Sequence, residues 1–128
     1  MKTLLFAFCL LAGPNLNAQI VCDTIYGSPE TPPIYGHNFD AFYMYFNDSI
    51  VPVLQECMKQ EDTVISGLVV RFTLDYNGHV LDVEFLRINA GEACKQRVRE
   101  RFMAMGDWSP GWVRGEPVCS YTVWPTRC

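Results

Sequence analysis

The stretch from Ser66 to Ile88 leaves the chain little choice of local structure. Leu68, Val70, Phe72, Leu74 and Tyr76 alternate with Val69, Arg71, Thr73 and Asp75, and a period of two puts the first set on one face of a strand and the second on the other. Asn77-Gly78 follows at once, a pair that supplies both positive-φ residues of a type I′ turn. On the way back Leu81, Val83 and Phe85 alternate with Asp82 and Glu84. The spacing predicts a tight antiparallel hairpin with one buried and one wetter face. Asp75, Asp82 and Glu84 have the residue types of an acid/base cluster, but carboxylates on the polar face of a hairpin are ordinarily its solvated side.

The flanks carry helical signals. Asn38 is suited to accept a hydrogen bond from an orphan amide at a helix start, and Phe39, Phe42, Tyr43, Phe46 and Ile50 then recur at helical spacing. This stripe is expected to be the buried side of the helix, with Pro52 interrupting it and Val53 to Lys59 adding a short further turn. Glu92 to Met105 forms a second helix with Cys94, Val98, Phe102 and Met105 on one stripe and Lys95, Arg97, Arg99, Glu100 and Arg101 on a solvent face. Trp108-Ser109-Pro110-Gly111-Trp112 is rich in turn residues, Pro117 leads into a strand over Val118 to Trp124, and Pro125 ends it. The order helix, strand, strand, helix, strand is expected to build an α+β fold of two layers, with helices on one face of a small antiparallel sheet.

The N-terminus reads as a leader. Met1-Lys2, an apolar run from Thr3 to Gly13 and a small residue before a polar one at Ala18-Gln19 have the three-part layout of a secretory signal peptide over residues 1–18. The apolar run is about half of the roughly twenty residues a membrane span requires, so no span is expected in the mature chain. Residues 19–35, with Pro29, Pro32 and Pro33, read as an extended arm, and 36–128 as the folded domain. Loss of Lys2 with the leader leaves nine basic residues against fourteen acidic, a net of −5. Such a balance lacks the basic surface that phosphate backbones require, so nucleic acid is not an expected partner.

Export changes how the cysteines read. Cys22, Cys57, Cys94, Cys119 and Cys128 stay in the mature chain, where an oxidising compartment lets disulfides persist. Five is odd, and spacing does not choose the pairing or the residue left over. No metal or cofactor is expected, because the cysteines are far from close Cys-x-x-Cys spacing and His37 and His79 are isolated. A thiol enzyme would use Cys94 near a helix start beside Lys95 and Arg97, with His37 or His79 as base. No Cys-x-x-Cys pair or placed base supports it, and no catalysis is expected.

Gly67-Leu68-Val69-Val70-Arg71-Phe72-Thr73-Leu74-Asp75, Gly78, Val80-x-Asp82-Val83, a charged helix, Trp108-Ser109-Pro110-Gly111, Gly115-x-Pro117-Val118 and Tyr121-Thr122 before Pro125 together resemble the C-terminal domain of TonB. The resemblance runs over about residues 36–125. It implies a protein-binding module whose last strand, here Val118, Cys119, Ser120, Tyr121, Thr122 and Val123, adds an extended segment of an outer-membrane transporter to its sheet. By the same match Asn77 and Gly78 turn the hairpin, while Trp108, Pro110, Gly111 and Pro117 shape the turn feeding the docking strand. The family's long spacer and anchor are not expected here, and four cysteines in or just after the matching region set this chain apart. Proline at Thr122 is expected to weaken docking if its amide faces the open edge. The alternative is a disulfide-stabilised domain that self-associates, as a homodimer, through that edge or the odd cysteine.

Overall fold

Periodicity and burial coincide best in the hairpin, around which the other elements assemble. The computed structural model describes residues 21–125; the predicted leader and Cys128 lie outside them. In chain order these residues form β1 (Ile34–Tyr35), α1 (Phe39–Tyr45), a π-helical turn (Phe46–Ile50), α2 (Val51–Glu61), β2 (Leu68–Leu74), β3 (Val80–Ile88), α3 (Glu92–Met103), β4 (Trp108–Ser109), β5 (Gly111–Val113), β6 (Glu116–Val118) and β7 (Ser120–Trp124). The class is α+β. The main sheet is three-stranded in the order β3-β2-β7, with both pairings antiparallel, and β1–β4 and β5–β6 are separate two-stranded pairs. No described helix is long and apolar enough to cross a membrane.

Val70, Phe72 and Leu74 of β2 and Val83 of β3 are buried with Phe42, Ile50, Val53, Val98 and Phe102 from the helices. The helical layer therefore lies on one face of the sheet, as the alternating pattern requires. Phe72 is at the centre, with ring centroids 6.0 Å from Phe42, 5.3 Å from Phe102 and 5.2 Å from Trp108. Such edge and tilted contacts add to area burial. Arg99 of α3 covers the outer edge of β3, donating from Nε to the Val83 carbonyl at 3.1 Å while pairing with Asp82 at 2.6 Å.

Two expectations about the helices change. Asn38 does cap α1, its Oδ1 accepting from the Ala41 amide at 3.1 Å. Phe39 and Tyr43, however, are exposed, and only Phe42, the half-buried Phe46 and Ile50 follow the buried stripe. A single α-helical period cannot describe the face because the chain widens to a π turn at Phe46–Ile50, where the Val51 amide bonds back to the Phe46 carbonyl. Pro52 then falls in the first turn of α2, where its missing N–H costs little, so the helical path continues through it.

The hairpin loop also differs from the expected type I′ turn. Gly78 has φ of 87°, but Asn77 does not have a positive φ. Asp75 is buried, not on the solvated side, and its Oδ1 accepts from the amides of Asn77 at 2.8 Å and His79 at 2.9 Å. That side chain, with the Gly78 amide bonded to the Asp75 carbonyl at 3.0 Å, gives a turn followed by a glycine bulge. Tyr76 accordingly leaves the strand and is exposed. The type I′ loop occurs elsewhere, at Arg114-Gly115 between β5 and β6, with φ of 51° and 79°.

Two disulfides cross-link the described residues, Cys57–Cys94 between α2 and α3, and Cys22–Cys119 between the N-terminal arm and the start of β7. The Glu56–Arg97 ion pair also spans α2 and α3, but exposed pairs contribute at most about 1 kcal/mol. A disulfide closing a loop of this length contributes roughly 3–4 kcal/mol, so Cys57–Cys94 sets the helix spacing.

A methyl group at Gly78 would lie 1.8 Å from the Trp108 carbonyl oxygen. Gly78→Ala is expected to lower unfolding stability by about 3 kcal/mol, through that clash and the positive φ, in urea titration. A second expectation concerns alkali. The Tyr45 hydroxyl donates to the Arg101 carbonyl, and burial, followed by the neighbouring Tyr35, raises its pKa above the ordinary tyrosine value. The folded state then holds this proton more tightly than the unfolded chain, so stability is complete below about pH 10 and declines as pH rises through the raised value. Urea midpoints across pH 9–12 should fall less steeply in Tyr45→Phe.

Candidate functional site

β7 is the edge of the main sheet, and its backbone determines what it can offer. Its register with β2 pairs Ser120 with Leu74, Tyr121 with Thr73, Thr122 with Phe72, Val123 with Arg71 and Trp124 with Val70. Along such a strand successive residues direct their N–H and C=O alternately toward and away from the partner. The Tyr121 amide bonds to the Tyr26 carbonyl at 3.0 Å, outside the sheet, so Tyr121 and Val123 face outward while Ser120, Thr122 and Trp124 face β2. The Thr122 amide is therefore committed to the ladder, and proline there would break the sheet itself. Val123 is the position whose amide meets the open edge.

The expected docking strand Val118 to Val123 is not one strand. Val118 belongs to β6 and pairs with Gly111, while Cys119, buried and disulfide-bonded, separates β6 from β7. Val118 and Cys119 are thus withdrawn from a continuous edge. The Cys119 carbonyl accepts from the Tyr26 amide at 2.9 Å. What stays without a hydrogen-bond partner among the described residues is the Tyr121 carbonyl and both backbone groups of Val123.

The arm is not a trailing segment. Besides Tyr26, the amide and carbonyl of Thr31 bond to Trp112 at 3.1 and 3.0 Å, the Arg114 amide donates to Glu30 at 2.9 Å, and β1 pairs with β4. Thr31–Trp112, Ile34–Ser109 and Tyr35–Trp108 share one antiparallel register, interrupted where Pro32, Pro33 and Pro110 lack N–H donors. Trp108, Pro110 and Gly111 therefore build an extended strap and not the expected turn. The reversal comes at Arg114-Gly115, and Pro117 lies within β6 opposite Trp112. At Gly111 a Cβ would meet Pro29 Cγ at 2.8 Å and Ser120 Oγ at 3.0 Å; the arm approaches the strap that closely.

Beside the free part of β7 lies an apolar groove. Pro33, Phe39, Tyr43, Thr122, Val123 and Trp124 are among the residues that line a cavity of about 140 Å³, with a larger depression of about 620 Å³ continuing over Pro29 and Pro32. No charged side chain lines either. Trp108 and Trp124 both line the cavity, and neither indole N–H has an acceptor among the described residues. On the outer sheet face Arg71 lies 4.5 Å from the Tyr121 ring centroid and pairs with Glu84, which holds Tyr121 in place.

Cys94, the candidate nucleophile, is buried in its bond to Cys57 and offers no thiolate. His37 is exposed. His79 lies 3.4 Å from both Asp75 and Asp107, away from any cysteine bond. Among the described residues no group of three or more His, Cys, Asp or Glu side chains is placed to hold a metal ion. Cys128 lies outside the described residues, and Cys22, Cys57, Cys94 and Cys119 form the two bridges. Neither a protein-family model, nor a curated protein, nor a solved structure matches this chain.

Sequence reasoning missed Tyr26, Thr31 and Phe39 as neighbours of the edge. Three prolines masked the arm's pairing capacity, although Thr31 and Ile34-Tyr35 between and after them are strand-forming types. The backbone assignment gives a direct test. Thr122→Pro is expected to destabilise the fold by about 1–3 kcal/mol, because the Phe72 carbonyl loses its donor inside the sheet. Val123→Pro should cost less than about 1 kcal/mol, since proline is tolerated where the N–H faces out. Urea denaturation of the two variants checks both values.

Proposed function

We propose that this chain is an exported protein-binding module that takes an extended segment of a partner protein onto the outer edge of β7. The observation that carries the reading is the unpaired Tyr121 carbonyl and Val123 N–H and C=O beside an uncharged aromatic groove. Strand addition draws affinity from main-chain hydrogen bonds and specificity from side-chain pockets along the edge. Val123 would supply the first, and Phe39, Tyr43 and Trp124 the second.

Two disulfides suit a compartment outside the cytoplasm, and the leader predicted for residues 1–18 suits delivery there. The resemblance to the TonB C-terminal domain suggests the periplasm as the compartment and a transporter of the outer membrane as the partner. The residues that carry the resemblance have definite places: Gly78 against Trp108, Gly111 against the arm, Gly115 in the β5–β6 turn. The same open edge would equally accept a second copy of the chain, which is the competing reading.

The discriminating experiment recovers partners of the tagged protein from detergent-solubilised envelope under non-reducing conditions, using wild type, Val123→Pro and, as a remote surface control, Leu81→Ser. Retention of an outer-membrane protein by wild type and Leu81→Ser, with loss of at least tenfold in Val123→Pro, is the expected result. Recovery unaffected by Val123→Pro would remove β7 as the docking edge. Recovery of the chain alone, at twice its mass and sensitive to Val123→Pro, would support self-association.

A further inference from the structure

We infer that residues Val21–Ser28 are a resident segment bridged to the β7 edge at Tyr26 and latched by Cys22–Cys119, and that thiol exchange at this disulfide opens a longer docking edge running from Cys119 to Val123. The use of that edge by a partner rests on the function proposed above; the latch itself does not. Tyr26 forms a parallel bridge, donating to Cys119 and accepting from Tyr121. In a parallel ladder the next residue to bond along the same line is two positions on, and it would use the Tyr121 carbonyl and Val123 N–H. Those are the groups left open. The arm does not continue to them: Ser28, the residue two on from Tyr26, makes no described backbone bond to β7, and the chain runs on to Pro29, which sits against Gly111. Resident arm and incoming segment therefore compete for one row of backbone groups.

The attachment of this part of the arm is sparse. Val21, Asp23 and Thr24 are exposed, and between residues 21 and 28 the described backbone hydrogen bonds to the rest of the chain are the two at Tyr26. From Glu30 onward the arm is held independently by Arg114, Trp112 and β4. Gly27, whose Cβ position is empty space, lies between the two parts and is the natural pivot. With only those two backbone bonds on this part of the arm, the disulfide keeps Tyr26 on the edge.

The two disulfides differ in access. Cys57 and Cys94 are 1% and 2% exposed, whereas Cys22 is only half-buried while its partner Cys119 is buried. A dithiol reductant would therefore attack at Cys22 Sγ. Its thiolate forms a mixed disulfide there as the Cys22–Cys119 bond breaks, and Cys119 leaves as a thiolate that takes up a proton. The reductant's second thiol then displaces Cys22, closing the reductant's own disulfide and leaving two protein thiols. The protein gains two electrons and two protons, and the reductant loses both.

The test uses the purified, oxidised protein and graded dithiothreitol, with alkylation mapping by mass spectrometry and amide hydrogen exchange on the same samples. Cys22 and Cys119 should be alkylated at reductant concentrations that leave Cys57 and Cys94 closed. At that point Tyr121 amide exchange should accelerate about tenfold or more while Thr122, bonded to β2, keeps its protection. A labelled peptide of residues 20–30 carrying Cys22→Ser should bind this reduced form and not the oxidised one. The variant Cys22→Ser/Cys119→Ser should reproduce the open state without reductant. Opening of Cys57–Cys94 at the same concentration would overturn the latch, as would a protected Tyr121 amide in protein alkylated at both Cys22 and Cys119. An open Tyr121 amide with no peptide binding would overturn the edge as a docking surface. These readouts need no cellular partner, so they separate failure of the latch from failure of the proposed function.

Discussion

Trp108 meets Gly78 closely enough that no other residue fits, and the geometry downstream depends on that approach. The Trp108 amide donates to the Gly78 carbonyl at 2.9 Å, and its indole packs against Tyr35, Phe42 and Phe72. One residue thereby ties the tip of the β2–β3 hairpin to β1, to α1 and to the centre of the core. The strap that begins at Trp108 then has a fixed origin, so its antiparallel register with residues 31–35 and the position of the Arg114-Gly115 reversal follow. β7 returns from that reversal into place beside β2. A side chain at position 78 would displace the strap and, with it, the register of everything that builds the edge.

A sheet of three strands has two edges to manage, and this fold treats them differently. On β3 the Arg99 guanidinium occupies an outward carbonyl and pairs with Asp82, which blocks addition of another strand there. On β7 the chain covers the edge with its own arm over Cys119–Tyr121 and leaves Val123 open beside aromatic side chains. Blocking with charge on one side and with a displaceable backbone segment on the other gives the sheet a single direction in which it can grow. Exposed edges are an aggregation hazard, and a covalently tethered cover limits that hazard at little cost to access.

Much of the fold is legible in the chain. The alternation from Leu68 to Leu74 gives the hairpin, because burial on one face imposes a period of two; on the return strand Val83 keeps to it, whereas Leu81, expected on the buried side, is exposed where the β2–β3 register shifts between Thr73 and Leu74. Asn38 marks the start of α1, because an orphan amide needs an acceptor. The hairpin turn shows where such reasoning stops: Asn77-Gly78 has the composition of a type I′ loop, yet the Asp75 carboxylate captures two amides and selects another turn. Phe39 and Tyr43 show it again, since a π turn a few residues later changes which side of the helix faces the core. In both cases a local rule competes with a hydrogen bond or a widened turn that composition does not register.

The site was legible only in part. Periodicity located a strand ending at Trp124, and the resemblance marked it as an edge, but neither distinguished the two sides of its backbone. That distinction depends on which neighbour lies beside it, and Thr122 and Val123 exchange roles with a register shift of one residue. The cysteine spacing likewise implied disulfides without pairing them, because pairing depends on which Cα atoms folding brings within about 6 Å. The sequence by itself determined the hairpin, the helices and the capacity for cross-linking, all of which arise from contacts close along the chain. Tertiary structure alone decided that the arm lies on β7, that Cys22 meets Cys119 across 97 residues, and that Val123 faces outward, because each depends on segments far apart in sequence being brought side by side.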